Sequence, residues 1–174
     1  MLENRIYVYK FVDLKLVDAI DTNINSRGLV ALNPDTPNEV LATPDKQEGF
    51  VKLTLYRKSK SHVVKAHEHA IAALALNPDG RLLATASIQG TLIRLTNTET
   101  GSALQELRRG SDTADIFNIA FDMKTTWISV TSDKATIHVF AVTKDITDQL
   151  SSVEMGDDGS SAVEEIKSNA QPTN

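Results

Sequence analysis

The strongest constraint on the fold is a repeat, in which four short β-type segments separated by turns recur about every 40–45 residues. One copy occupies 71–76, 82–87, 90–96 and 103–107, and the next occupies 116–121, 127–131 and 136–142. These two align without a gap at an offset of 45, placing Leu82 on Trp127, Ser87 on Ser132, Thr91 on Thr136 and Leu95 on Phe140. An earlier copy holds 28–32, 39–43, 49–55 and 62–66, and its Val40-Leu41-Ala42-Thr43 matches Leu82-Leu83-Ala84-Thr85 at an offset of 42. Turn formers such as Asn33-Pro34-Asp35 and Pro44-Asp45-Lys46 punctuate the gaps. Two further strands are expected at 5–9 and 14–17, on either side of a turn at Asp13. Alternation alone also suits a β-sandwich, but sandwiches do not repeat in this way. A four-strand unit that does is the pattern of propeller blades.

The blade count falls short of a ring. The chain offers roughly three blades, with strands missing at both ends, whereas closed propellers have about 4–8. An open arc leaves strand edges unpaired. We therefore expect either a fragment of a longer protein or a ring that something else completes. The expected fold is all-β: an incomplete WD-repeat-like β-propeller over residues 1–143, followed by an acidic, disordered tail over 144–174. That tail is rich in Ser, Asp, Glu and Gly and has no aromatic residue. Within it, Ile146, Leu150 and Val153 are spaced for one face of a short helix.

The net charge of −5 is unevenly spread. From residue 145 onward, Asp145, Asp148, Glu154, Asp157, Asp158, Glu164 and Glu165 face Lys167 alone, so the blades are close to neutral and free to form local basic patches. The chain has no cysteine, no apolar run near the roughly 20 residues of a spanning helix, and no basic-then-apolar start. A soluble cytoplasmic protein is expected. Catalysis is not: there is no Gly-rich phosphate loop and no thiol nucleophile. His62, His67, His69 and His138 also lack the spacing of a convincing metal site. No cofactor is implied.

The clearest functional signal lies between two of the copies, at Leu107-Arg108-Arg109-Gly110. Successive side chains in an extended segment point to opposite faces, so Arg108 and Arg109 should serve different neighbours. On one side Arg108 can meet Thr85, Ser87, Thr91 and Arg94. On the other, Arg109 can meet Ser132, Lys134, Thr136 and His138. Hydroxyls beside a cation satisfy phosphate oxygens through charge-assisted hydrogen bonds, and the alignment makes Ser87/Thr91 and Ser132/Thr136 equivalent. Gly110 is expected to let the backbone turn without obstructing an anion. Taken singly, each feature also suits a bland role: a solvated bend for the arginines, backbone hydrogen bonds for the hydroxyls, and an inter-strand polar network for His67.

The run Gln105-Glu106-Leu107-Arg108-Arg109-Gly110 resembles the PROPPIN family of seven-bladed, WIPI-type propellers. Ala84–Arg94 and Ser132–Phe140 flank it in the same style, and Glu3-Asn4-Arg5-Ile6-Tyr7-Val8-Tyr9 is similar to the family's third blade. The family's motif is Phe- or Leu-Arg-Arg-Gly, and this chain has the Leu form. The resemblance covers about residues 2–142. It implies a first lipid headgroup site at Thr85, Ser87, Gly90, Thr91, Arg94 and Arg108, and a second at Arg109, Gly110, Ser132, Thr136 and His138. The implied ligands are phosphatidylinositol 3-phosphate and phosphatidylinositol 3,5-bisphosphate. The implied setting is autophagic (phagophore) and endosomal or vacuolar membranes, with autophagy proteins as partners. The family's membrane-inserting loop would begin near residue 143, where this chain is acidic and without aromatics, and an anionic leaflet repels such a segment. The alternatives are a WD-repeat interaction scaffold without lipid binding and a truncated, non-functional product.

Overall fold

The computed structural model describes residues 4–33, 38–146 and 148. These form four antiparallel sheets, in each of which every strand pairs with its neighbour in sequence. The first is a hairpin of β1 (Arg5–Tyr9) and β2 (Leu16–Asp21). The second comprises β3 (Ala31–Leu32), β4 (Val40–Pro44), β5 (Phe50–Leu55) and β6 (Lys60–Lys65). The third comprises β7 (Ile71–Leu76), β8 (Leu82–Ser87), β9 (Leu92–Asn97) and β10 (Ala103–Arg108). The fourth has three strands, β11 (Ile116–Phe121), β12 (Trp127–Ser132) and β13 (Ile137–Ala141). The repeat read from the sequence is thus a series of blade-like meanders. Among the described residues no helix is long and apolar enough to cross a membrane.

The sheets stack through faces that alternation makes apolar. Val40, Ala42, Val51, Leu53, Val64, Ile71 and Leu83 form one core between the second and third sheets. Leu82, Ala84, Ile93, Leu95, Leu107, Ile116, Ile128 and Val130 form another between the third and fourth. β7 touches β3 and β4 on one side and β11 on the other, so the first strands of the meanders line the inside of the arc. The first sheet is held by polar contacts: Asp21 takes Arg5 at 2.6 Å and Lys46 at 3.1 Å. These donors, Arg5 first, hold the Asp21 carboxyl down at about 2.

One device recurs after the first strand of the second, third and fourth sheets. The Asn77 N–H donates to the Leu82 carbonyl (3.0 Å) while its side-chain Oδ1 accepts from the Leu82 N–H (2.9 Å). Asn33 does the same for Val40 (3.2 and 2.6 Å), and Asp122 for Trp127 (3.0 and 2.8 Å). These turns also abut one another. Asn77 Nδ2 donates to Thr125 Oγ1 (3.0 Å), and a Cβ at Gly80 would fall 2.8 Å from Asn33 Cγ. A short polar side chain therefore fixes the register of each blade and ties it to the next.

Several boundaries differ from expectation, each for a local reason. The strand expected at 28–32 shrinks to β3, because Gly28 (φ +64°) closes a turn on Asn25, whose amide brackets Leu29 at 2.8 and 3.0 Å. The strand expected at 14–17 starts at Leu16, because Leu14 sits at φ +52° in a turn closed by Lys10 and Lys15. Gly90 and Thr136 belong to turns rather than to strands. The fold also runs past the expected boundary at 143: residues 144–146 are helical and Ile146 is buried in the core beside Val142. The rest of that segment, with Leu150 and Val153, lies outside the described residues.

Asn77 is fully buried, so Asn77→Ala leaves the Leu82 N–H without its acceptor and Thr125 without its donor. A loss of about 2–3 kcal/mol is expected, read as a lower urea midpoint at unchanged slope.

Candidate anion site at a sheet seam

The third sheet gathers the first set of expected residues at one end. Thr85 on β8 is the cross-strand partner of Arg94 on β9, and Arg94 is the partner of Glu106 on β10. Ser87 and Arg108 lie two residues further along their strands, on the same face. The turn between β8 and β9 supplies Gly90 and Thr91. Gly90 is required there: its φ is +64°, and a Cβ would fall 1.9 Å from the Ala114 carbonyl oxygen. The turn thus packs directly on the chain entering β11.

Not every member of this set is equally available. Thr85 is fully buried, its hydroxyl 3.1 Å from His67 Nε2. Arg94 donates from Nε to Glu106 (2.9 Å) and from Nη1 to the Ala66 carbonyl (2.8 Å). Its charge is already compensated. Arg108 is exposed and makes no hydrogen bond or ion pair among the described residues, which leaves it the free cation of this face.

Arg109 follows the end of β10 and folds onto the turn between β8 and β9, not onto the fourth sheet as expected. Its N–H donates to the Thr91 carbonyl (2.9 Å), its Nε to the Gly90 carbonyl (2.6 Å), and its Nη2 to the Asp112 carbonyl. Carbonyls orient a guanidinium without neutralising it, so Arg109 keeps its full charge. Of the second expected set, Thr136 Oγ1 and His138 Nε2 are 3.2 Å apart, and His138 stacks on Phe140 at 6.1 Å. Ser132, at the end of β12, is buried and accepts from the Lys134 N–H (3.4 Å). Thr136 and His138 are therefore brought together, while no hydrogen bond joins Arg109 to either. Gly110 has no left-handed backbone and no atom within 4 Å of a built Cβ. The turning role expected of it is not required. It simply leaves the rim unobstructed.

The structure adds residues that the sequence did not suggest. Arg27, in the loop between β2 and β3, reaches Asp115 at 2.7 Å, and the Asp115 N–H donates to Asp133 Oδ1 (2.9 Å) while its carbonyl accepts from the Asp133 N–H (3.0 Å). His69 meets Gln89 at 2.7 Å beside the first set. Asp115 and Asp133 left no signal in the repeat, since Ala70 and Ile88 stand at the equivalent places one copy earlier. Arg27 left none either.

His67 lies under this rim. It is buried, and desolvation pushes its pKa down to about 4, against a smaller opposing contribution from its hydrogen bond with Thr85. The ring is therefore neutral in the fold at neutral pH.

An arc of antiparallel blades whose seam carries two uncompensated arginines beside repeated hydroxyls defines a partial β-propeller with a candidate anion-binding rim. Comparison with known proteins agrees on the fold. The PROPPIN family pattern matches residues 1–157, and the chain belongs to that family. It is 42% identical over 146 residues to autophagy-related protein 18e of Arabidopsis thaliana, covering 84% of this chain and 39% of that protein. It is 39% identical over 145 residues to SVP1-like protein 2 of Neurospora crassa, covering 83% of this chain and 33% of that one. The solved structure of Kluyveromyces lactis Hsv2 superposes with a TM-score of 0.71 at 26% identity, over 84% of this chain and 46% of that chain. A complex of KlAtg21 with the coiled-coil of AgAtg16 gives 0.67 at 29% identity, over 80% of this chain and 47% of that chain. The chain thus spans less than half the length of each of these relatives.

The His67 shift makes stability depend on pH. The folded pKa lies below the unfolded value near 6.5, so the unfolded chain takes up the proton first. Stability is complete above about pH 6.5 and declines as the pH falls to about 4, by on the order of 3 kcal/mol from this group. Urea midpoints measured across that window should fall, with a shallower slope in His67→Gln.

Proposed function

We propose that this arc binds the phosphorylated headgroups of phosphatidylinositol 3-phosphate and phosphatidylinositol 3,5-bisphosphate. In this reading it acts in autophagy as a peripheral membrane effector on phagophore and endosomal or vacuolar membranes. The observation that carries the reading is the seam itself. Arg108 and Arg109 are adjacent at the end of β10, and both are without a carboxylate partner among the described residues.

The first headgroup would meet Arg108 with Ser87, Thr91 and Arg94 around the Gly90 turn, Thr85 lying buried beneath and held by His67. The second would meet Arg109 with Thr136 and His138, Ser132 shaping the turn between β12 and β13 and Gly110 leaving the approach open. Phosphate oxygens are good acceptors for such donors, each charge-assisted bond contributing roughly 1.5–3 kcal/mol. Single sites of this kind are weak. Two on one rim, facing one membrane, gain about 10²–10⁴ in avidity. The autophagy assignment rests on the relatives' names and on family membership. The Atg21 relative is solved with an Atg16 coiled-coil, which makes an autophagy coiled-coil protein the first partner to test.

Flotation of the chain with vesicles carrying phosphatidylinositol 3-phosphate tests the reading, beside plain vesicles and an Arg108→Thr/Arg109→Thr variant. Lipid-dependent flotation is expected for the parent, with at least a tenfold loss in the double variant. Folded protein that ignores the lipid, or a variant that floats equally well, favours a protein-interaction scaffold.

A further inference from the structure

The loop between β10 and β11 holds a hydroxyl that headgroup binding does not use. Ser111 follows the arginine pair directly, in the run Arg108-Arg109-Gly110-Ser111. Ser111, Asp112 and Thr113 are exposed and belong to no strand. Among the described residues, none of their three N–H groups bonds to another backbone group. The Ser111 hydroxyl meets the exposed Asp112 carboxylate at 3.3 Å. Just before it, a Cβ built on Gly110 has nothing within 4 Å. A second protein can reach a hydroxyl in this setting and draw out the backbone around it at small cost, because no strand ladder has to be broken.

What precedes the hydroxyl gives it selectivity. Ser111 alone in the sequence has arginine both two and three residues before a serine or threonine. Neither arginine has a carboxylate partner among the described residues. Kinases choose one hydroxyl among many by reading such charge patterns. Ser59 has one such arginine, Arg57, but it closes a tight turn on the Tyr56 carbonyl (3.1 Å) at φ +48°. We infer that Ser111 is a phosphorylation site for a protein kinase that selects arginines two and three residues before its target, and that the phosphate then occupies the arginine pair and closes the rim to lipid headgroups. The second half rests on the headgroup reading above. In the transfer, Ser111 Oγ attacks the γ-phosphorus of ATP and the bond to the β–γ bridging oxygen breaks. ADP leaves, and the hydroxyl proton passes to the carboxylate base of the kinase. The new group carries about −1.5 to −2 at neutral pH, with oxygens suited to guanidinium donors. Arg108 and Arg109 against Asp112 leave this segment one positive charge, which the phosphate more than cancels. Successive Cα atoms lie about 3.8 Å apart, so a guanidinium two residues away reaches the phosphate without moving β10.

The site is tested by treating the full chain with ATP and the catalytic subunit of cyclic-AMP-dependent protein kinase, then mapping phosphate by peptide mass spectrometry. Modification of Ser111 is expected in the parent. It should vanish in Ser111→Ala, and fall roughly tenfold or more in Arg108→Thr/Arg109→Thr, where the hydroxyl remains but the charge pattern is gone. An unmodified Ser111, or equal modification in the double variant, overturns the site. Flotation with vesicles carrying phosphatidylinositol 3-phosphate then tests the switch. The phosphorylated parent should bind roughly tenfold or more weakly than the untreated parent. Ser111→Ala taken through the same kinase treatment should float like the untreated parent. Equal flotation of phosphorylated and untreated parent overturns the switch. An untreated parent that ignores the vesicles overturns the headgroup reading and the switch with it, while the mass spectrum alone decides the modification site.

Discussion

Burial of both faces of the third sheet, between its two neighbours, is the constraint on which the rest depends. All six residues of β8 are buried. Leu83 belongs to the core on one side of its sheet, and Leu82, Ala84 and Ala86 to the core on the other. A single meander of this kind has no solvent face and is not stable by itself; it becomes so only between neighbours. Polar chemistry is accordingly driven off the faces and onto strand ends and turns. The register turns of Asn33, Asn77 and Asp122 occupy one end of the strands, and the candidate rim occupies the other. Structure-fixing and ligand-facing groups are thereby separated along the same strands.

This division explains what could be read from residue types. Alternation and turn formers fix where strands exist, so β4 to β13 fall within a residue or two of expectation. The expected strands failed where a side chain or a left-handed residue overrode the pattern, at the Asn25 clasp on Leu29 and at Leu14. Ile146 was harder to place. Its neighbours are acidic and polar, and only the nearby core at Val142 makes its burial profitable. Pairwise polar contacts between distant loops, such as Arg27 with Asp115, leave no periodic trace and were not legible.

Period-two alternation predicts opposite faces for Arg108 and Arg109, but Arg109 bonds back to the Gly90 and Thr91 carbonyls of its own sheet's turn. What the sequence did not reveal is how unequal the hydroxyls are. Thr85 and Thr91 are six residues apart, yet Thr85 is spent on His67, while Thr91 lends its backbone carbonyl to Arg109. Gly90 has the firmest steric role of the set, because the rim is assembled by pressing its turn against Ala114. The side chains around the rim thus divide into those that build the turn and those left free above it.

Electrostatics then decides which cations matter. Arg5, Arg27 and Arg94 each face a carboxylate at 2.6 to 2.9 Å. Exposed pairs of this kind add little stability, but they do cancel charge at short range. With a screening length of about 8 Å at physiological salt, an approaching phosphate responds to the groups at the rim rather than to the net charge of −5. There it meets Arg108 and Arg109, which among the described residues have no partner and only carbonyl partners, respectively. A negative chain can therefore present a positive edge where an arginine meets carbonyls, as Arg109 does, and no charge there where it meets a carboxylate, as Arg94 does.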